Sequence, residues 1–314
     1  MARYLVTGGA GFIGSHIAAE LLARGDQVRI LDNFSTGRRE NLHAVQGAEV
    51  VEGDVRSYHV VREAVDGCEC VLHQAALPSV PRSVKDPITS NEVNVVGTLN
   101  VLNAARDARV RRLVYASSSS IYGQNPELPK REGMMPQPIS PYAVSKLAAE
   151  YYVRTIGTLW GIETVALRVF NAYGPQQPLP AAHAPVIPRF LRQALSGGSL
   201  ITFGNGRQTR DYVYVDDVVE ALAAAATVKT VDRQVINVGS GVETSVSDLA
   251  ALVSKVTGRP VEPILNSNET GGVSRMRADL TLAKRKLNFR PRIGLAEGLR
   301  LVMERDPRFS QARA

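Results

Sequence analysis

The chain has 314 residues, 44% hydrophobic and 21% charged, with 37 basic against 30 acidic side chains for a formal charge of +7. That length can bury a large core, and no low-complexity stretch or apolar run of membrane-spanning length interrupts it, which excludes a fibrous, disordered or membrane-embedded chain. Basic residues scatter from Arg3 to Arg313 and cluster only at Arg38-Arg39, Arg109 to Arg112 and Lys284 to Lys286, so neither nucleic acid nor a membrane is expected as a partner.

In chain order, Tyr4-Leu5-Val6 predicts a strand that runs into Thr7-Gly8-Gly9-Ala10-Gly11-Phe12-Ile13-Gly14. Ile17, Leu21 and Leu22 then share one face of a helix that stops at Gly25. Strands are predicted at Val28 to Leu31, ending in Asp32, at Val50-Val51, ending in Asp54, and at Val71-Leu72-His73, with a helix from Val60 to Val65. A helix from Asn91 to Ala108, strand Leu113-Val114-Tyr115, a helix after Pro141 and a strand from Thr164 to Leu167 continue the alternation. Such alternation implies right-handed crossovers and a doubly wound parallel α/β sheet of Rossmann type.

Past Asn171, five prolines between Pro175 and Pro188 mark a loop-rich segment. Strand Ile201 to Phe203, helix Asp216 to Ala226, strand Val235-Ile236-Asn237 and helix Val246 to Val256 follow, then helices at Leu282 to Leu287 and Leu295 to Met303. The expected division is a dinucleotide-binding domain over 1–170, to which part of 205–240 returns, and a smaller α/β substrate lobe over 171–314. Cys68 and Cys70 are too few for a four-ligand metal site, so no metal is expected and two free thiols in a reducing cytoplasm are. The amino terminus enters a strand at once, which leaves no room for a signal peptide in this sequence.

Three motifs carry the chemistry. Gly8, Gly11 and Gly14 lie between a strand and a helix, where residues without Cβ let the backbone approach a pyrophosphate at the helix amino terminus. Asp32 follows at the end of the second strand, placed to bond the adenosine ribose hydroxyls, and its charge favours NAD over NADP. Asp54 ends the third strand, where it can meet the adenine. In the second motif, Tyr142 and Lys146 share a helix face four residues apart. A phenol is a poor base at neutral pH, and a lysine cation together with the positive nicotinamide is expected to lower its pKa. The same pair also fits an incidental surface spacing. The third motif, Ser117-Ser118-Ser119-Ser120 after a parallel strand, supplies hydroxyls where doubly wound sheets bind ligands, although a polar strand cap reads the same way.

Together these motifs resemble the extended short-chain dehydrogenase/reductase superfamily, and within it the NAD-dependent UDP-sugar 4-epimerases. Asp32-Asn33-Phe34-Ser35-Thr36-Gly37, His73-Gln74-Ala75-Ala76, Phe170-Asn171-Ala172-Tyr173-Gly174-Pro175 and Thr209-Arg210-Asp211-Tyr212 carry the likeness, which spans nearly the whole chain. It implies Tyr142 as the base for the sugar 4-hydroxyl, Lys146 as its tuning partner on the nicotinamide ribose and Ser118 as the hydroxyl relay. The implied cofactor contacts are Gly8, Gly11, Phe12, Ile13, Gly14, Asp32, Asn33, Ser35, Thr36, Gly37, Asp54, Val55, Gln74, Ala75, Ala76 and Asn94, with Tyr142 and Lys146. The implied substrate contacts are Ser79, Ser118, Ser119, Ser120, Tyr142, Asn171, Val186, Arg192, Arg210 and Met276. Hydride would leave C4 for NAD and return to the other face of a 4-keto sugar.

Similar 4,6-dehydratases carry an Asp-Glu pair where this chain has Ser119-Ser120, and related UDP-glucuronate decarboxylases carry a Glu at the position of Ser120. Epimerisation of UDP-glucuronate, UDP-glucose or both is therefore the expected activity. UDP-N-acetylglucosamine epimerisation, UDP-glucuronate decarboxylation and a non-catalytic NAD-binding scaffold stand as alternatives. Arg189 or Arg192 could read a C6 carboxylate. Relatives carry an Arg-x-Gly-Asp stretch where this chain has Glu269-Thr270-Gly271-Gly272, so Arg275 or Arg277 would have to substitute for its arginine. Homodimers through the helices Asn91 to Ala108 and Tyr142 to Thr155 are implied as well.

Overall fold

A computed structural model describes residues 2–180, 184–266 and 273–310. The first half is β1 (Arg3–Thr7), α1 (Phe12–Ala23), β2 (Gln27–Asp32), β3 (Glu49–Glu52), α2 (Tyr58–Val65) and β4 (Cys70–His73). Then come α3 (Val80–Lys85), α4 (Pro87–Asn91), a π-helical turn (Glu92–Val96), α5 (Gly97–Asp107), β5 (Arg112–Ser118), a 3-10 turn (Ser119–Tyr122), α6 (Pro141–Trp160) and β6 (Glu163–Val169). The second half contains β7 (Asn171–Tyr173), α7 (Val186–Leu195), β8 (Leu200–Phe203), β9 (Thr209–Arg210), β10 (Tyr212–Tyr214), α8 (Val215–Thr227) and β11 (Gln234–Val238). It ends with β12 (Thr244–Ser245), α9 (Val246–Thr257), β13 (Pro263–Asn266), α10 (Thr281–Leu287), α11 (Leu295–Arg305) and α12 (Pro307–Ser310).

Seven parallel strands form one sheet in the order β11-β6-β5-β4-β1-β2-β3. The order reverses between β1 and β4, and in such sheets the crevice beyond the carboxyl ends of the strands at that point holds ligands. The central strands are apolar without alternation because helices cover both faces: β1 reads Tyr-Leu-Val and β4 Cys-Val-Leu, all buried. One apolar cluster fills one face of the sheet, from Tyr4 through Leu222 to Phe309. A second, with Leu5, Val71, Leu102 and Val153, fills the other. Three two-stranded sheets, β10-β7, β12-β9 and β13-β8, lie outside this sheet among the described residues. Among the described residues, no helix is long and apolar enough to cross a membrane.

Two expectations need correction. The single helix predicted from Asn91 to Ala108 is three pieces, because the chain widens into a π turn at Glu92–Val96 before α5. Within that turn the Asn94 side chain is buried and bonds two other segments, a tertiary demand that composition does not reveal. The proline-rich stretch is also not all loop. α7 begins at Val186 and carries Pro188 in its first turn, where a missing N–H costs nothing.

Candidate active site

The carboxyl ends of β1 to β6 converge on one edge of the sheet. Gly8, at φ +68, turns the chain out of β1, and a Cβ on it would lie 2.8 Å from the Ala75 backbone. A Cβ on Gly14 would lie 2.1 Å from the Gly8 carbonyl oxygen, so the cradle closes only around glycine. Gly11 precedes α1 without a side-chain cap, which leaves amides of the first turn, including those of Phe12 and Ile13, for an anion.

Asp32 is buried, and each of its oxygens already accepts one backbone N–H: Ala10 at 2.9 Å and Phe34 at 2.8 Å. Burial raises its carboxyl pKa, opposed by those two bonds. One lone pair on each oxygen stays available for a diol. Asn33 donates to Asp54 at 2.8 Å, and the Arg56 hydrogen bond holds the Asp54 carboxyl down at about 2. Ser35 and Thr36 are exposed at the mouth, while Gly37 packs against Asp32 and Val55 is buried below. Beside the cradle, Gln74 has a buried Nε2 without a hydrogen-bond partner in the protein, the kind of orphan a bound ligand satisfies. These residues fit a dinucleotide.

Beyond β4 lies a bridge of directly bonded side chains. Thr98 donates to the Asn94 carbonyl at 2.7 Å, so its oxygen accepts from His73 Nε2–H at 3.0 Å. His73 Nδ1 then accepts from the Thr7 hydroxyl at 2.6 Å, and Thr7 in turn accepts the Ala75 N–H at 3.3 Å. His73 is fully buried, and burial, aided by the nearby Lys146, lowers its pKa to about 3; it is a fixed neutral tautomer. Asn94 accepts from Leu77 N–H at 2.8 Å and donates to Ser145 at 3.0 Å, joining the Gln74-Ala75-Ala76 loop to α6.

α6 starts cleanly. Ser140 caps the Ala143 N–H at 3.2 Å, Pro141 fills the first position, and Ser83 accepts the Tyr142 N–H at 3.0 Å. This fixes Tyr142, whose side chain is only partly covered, above the end of β5. Ser118 opposes the burial that raises the Tyr142 phenol's pKa, and the Ser118 oxygen accepts the Ser120 hydroxyl at 2.9 Å and the Ser120 N–H at 3.2 Å. Ser120 and Ser118 are thus joined hydroxyl to hydroxyl, and Tyr142 is the phenol next to them. Of the other serines, Ser119 is buried and Ser117 donates to Glu150 at 2.6 Å.

Lys146 is buried, with its ammonium 4.3 Å from the centre of the Tyr115 ring. Burial lowers its pKa to about 7, opposed by Glu150 one turn along. The expected lowering of the Tyr142 phenol calls on Lys146 together with the positive nicotinamide, so it concerns the NAD-bound enzyme. Burial raises the Tyr142 pKa and Ser118 is the group that opposes it, while the Lys146 ammonium packs over Tyr115 instead.

The remaining expected residues lie on other elements. Ser79 caps α3 by accepting the Arg82 N–H at 3.2 Å, Asn171 is exposed at the start of β7, and Val186 opens α7. On α7, Arg192 is exposed, whereas Arg189 donates to the Ile201 carbonyl at 3.2 Å. Arg210 donates to the carbonyls of Thr209 and Val273 at 2.7 and 2.8 Å, and burial lowers its pKa, with Tyr212 opposing. Met276 is buried in a small apolar cluster with Tyr122, Met134 and Phe170, so it forms wall rather than open lining. Of the proposed substitute arginines, Arg275 is engaged in a two-bond pair with Glu243 at 2.7 Å each. Glu269 to Gly272 lie outside the described residues. Sequence reasoning assigned no role to His73, Thr7, Thr98, Glu150 or Arg168; a lone charged residue one turn past Lys146 was the available signal for Glu150.

Residues 4–239 match the model of the NAD dependent epimerase/dehydratase family. The chain is 40% identical over 307 residues to a UDP-glucose 4-epimerase of Mycolicibacterium smegmatis, covering 96% of this chain and 97% of that one. Its fold superposes on the UDP-glucose 4-epimerase of Thermotoga maritima, solved with UDP-glucose, with TM-score 0.93, 35% identity and 99% coverage of both chains. It superposes equally, at TM-score 0.93 and 31% identity, on the UDP-N-acetylglucosamine 4-epimerase of Methanobrevibacter ruminantium in complex with UDP-N-acetylmuramic acid, covering 100% of this chain and 99% of that one. The chain belongs to the NAD-dependent epimerase/dehydratase family, and NAD is its cofactor.

Proposed function

We propose that this enzyme reversibly inverts C4 of a UDP-linked hexose, with UDP-glucuronate, UDP-glucose or both as its substrate. The observation that carries this reading is the Ser120–Ser118 hydroxyl pair beside Tyr142, with serine rather than a carboxyl residue at positions 119 and 120. Moving one proton on and off a sugar hydroxyl needs such hydroxyls, whereas eliminating water across a C–C bond needs an acid and a base.

Bound NAD supplies a hydride acceptor that returns what it takes, together with a positive charge that favours a phenolate. In this reading the glycine cradle of Gly8, Gly11 and Gly14 holds its pyrophosphate, Asp32 to Gly37 its adenosine ribose and Asp54 its adenine, while Gln74 to Ala76 and Asn94 face the nicotinamide. Tyr142 takes the 4-hydroxyl proton, directly or through Ser118, and gives it back from the same site. Lys146 holds the ribose and steadies the phenolate charge. Arg210 pairs with the diphosphate, Asn171 contacts the sugar or its diphosphate, Ser79, Val186 and Met276 shape the hexose pocket, and Arg192 reads a C6 carboxylate.

The deciding experiment incubates purified protein separately with UDP-glucose, UDP-glucuronate and UDP-N-acetylglucosamine, and separates the products by chromatography and mass. A same-mass 4-epimer supports the reading, and the relative rates name the substrate. Product lighter by carbon dioxide or water replaces it with a decarboxylase or dehydratase. No product with added NAD leaves a binding scaffold.

We also infer a homodimer paired through α5 and α6. α6 leaves Val144, Tyr151, Tyr152 and Leu159 exposed at 52, 49, 44 and 73%, an apolar stripe that a second copy would cover. Light scattering should give twice the chain mass, and Leu159→Glu should halve it. A cytoplasmic location suits the two buried free thiols.

A further inference from the structure

We propose that Glu150 is a positioning residue of the active site: its buried carboxylate, held by Arg168, ties the end of β5 to the face of α6 that carries Tyr142 and Lys146, and its charge lies one helix turn from the Lys146 ammonium. The proposal rests on the roles given above to Tyr142, Ser118 and Lys146.

Glu150 is 0% exposed, yet its carboxylate is fully engaged. Arg168 of β6 donates to it twice, at 2.7 and 3.0 Å, and the Ser117 hydroxyl of β5 donates at 2.6 Å. Ser117 is the backbone neighbour of Ser118, so that last bond fixes the strand end that carries the Ser118 hydroxyl. Arg168 extends the network by donating to the Tyr122 hydroxyl at 3.0 Å and the Glu132 carbonyl at 3.1 Å. Tyr122 donates to Asn237 of β11 at 2.7 Å. A carboxylate on α6 is therefore clamped to β5, β6 and β11 together.

Stability alone does not call for such a pair. An apolar pair of the same volume would pack at equal or lower free energy, since two charges must be stripped of water. What an apolar pair cannot provide is a negative charge beside Lys146. The ionisable groups facing Lys146 are Tyr142 and Glu150 from its own helix, His73 from β4 and Tyr115 from β5. His73 is a neutral tautomer and burial raises the pKa of both phenols, so the carboxylate in this set, ion-paired to Arg168, is Glu150. Glu150 itself faces Arg168 of β6, Tyr115 and Ser117 of β5, and Lys146. Its charge favours the ammonium against the burial that disfavours it, and removing that charge lets Lys146 lose its proton at lower pH.

The test measures kcat and KM against pH for wild type, Glu150→Gln, Glu150→Asp and the double variant E150Q/R168Q. The double variant is included because Glu150→Gln alone strands the Arg168 charge in the core. Both charge-removing variants should move the alkaline limb of kcat to lower pH by about one unit, while KM changes by less than about threefold. Glu150→Asp keeps the charge and should keep the limb in place at reduced kcat. An alkaline limb unmoved in every folded charge variant overturns the proposal. If neither charge variant folds, Ser117→Ala decides, since it keeps both charges: kcat should fall with KM unchanged, and a wild-type kcat overturns the tether. Wild-type turnover in the same assay separates the two failures. Without it the reading of the whole site falls, and with it an unmoved limb removes only Glu150.

Discussion

The Lys146 ammonium lies 4.3 Å from the centre of the Tyr115 ring, a cation–π contact between two buried side chains. Burial has lowered the lysine pKa from 10.5 to about 7, against the opposing pull of Glu150. Between those values the folded protein binds fewer protons than the unfolded chain, so the lysine makes stability rise with pH across that window. Urea melts of the ligand-free protein and of Lys146→Met at pH 7 and pH 9 should show the wild type gaining on the variant by about 2 kcal/mol. A constant difference would mean that Lys146 keeps an ordinary pKa.

Tyr142→Phe should retain NAD and UDP-sugar affinity within about threefold and lose about 10²–10⁴-fold in kcat, since the phenol is the group that moves the proton. Ser118→Ala should cost less, about 10–10²-fold, and Ser120→Ala least, since Ser118 is the hydroxyl that acts on the phenol. Calorimetry and steady-state rates on the same preparations check this. A Tyr142→Phe enzyme with near-native turnover would falsify the assignment of the base.

His73 must stay neutral to hold Thr7 and Thr98 together. Its pKa is lowered from 6.5 to about 3, mainly by burial, so the unfolded chain binds the extra proton first. The associated stability is complete above pH 6.5 and is lost as pH falls towards 3, by about 1.4 kcal/mol per unit. Relative to His73→Asn, the wild type should therefore lose about 3 kcal/mol between pH 6.5 and pH 4. Parallel stability curves would show that the imidazole is charged or solvated in the native state.

Arg192 is exposed on α7, where a sugar carboxylate could reach it, while Arg189 is tied to the Ile201 carbonyl. Arg192→Ala should lower kcat/KM for UDP-glucuronate by about 10–10²-fold and leave UDP-glucose within about threefold. Equal losses on both substrates would assign Arg192 to something other than the C6 group.

The elements legible in the sequence were those whose signal is local. Apolar runs marked β1 and β4, Ser140-Pro141 marked the start of α6, and the glycine triplet marked the cradle. The π turn was hidden, because a shift from i→i+4 to i→i+5 bonding leaves no compositional trace. β7, β9, β10 and β12 have three residues or fewer and exist through their partners. The site divides the same way. Tyr142 and Lys146 share one helix turn and could be paired on paper. The Ser117–Glu150–Arg168 contact joins three elements, and the turning of Lys146 towards Tyr115 depends on a packed neighbour that spacing does not specify.

Phe309 and Tyr4 belong to one apolar cluster, and the end of the described chain is stitched to the loop after β7: Asp306 accepts the Gln176 N–H at 2.9 Å, and Arg308 donates to the Gln177 carbonyl at 2.9 Å. Gln176 in turn meets Ser15 of α1 at 3.3 Å. On the ribosome, β1 to β5 are synthesised well before α8, which packs against β4, β5 and β6, has left the exit tunnel. The nascent chain must carry that face of β4 and β5 uncovered until residues 215–227 emerge, which makes the second half of translation the interval in which a chaperone would be needed.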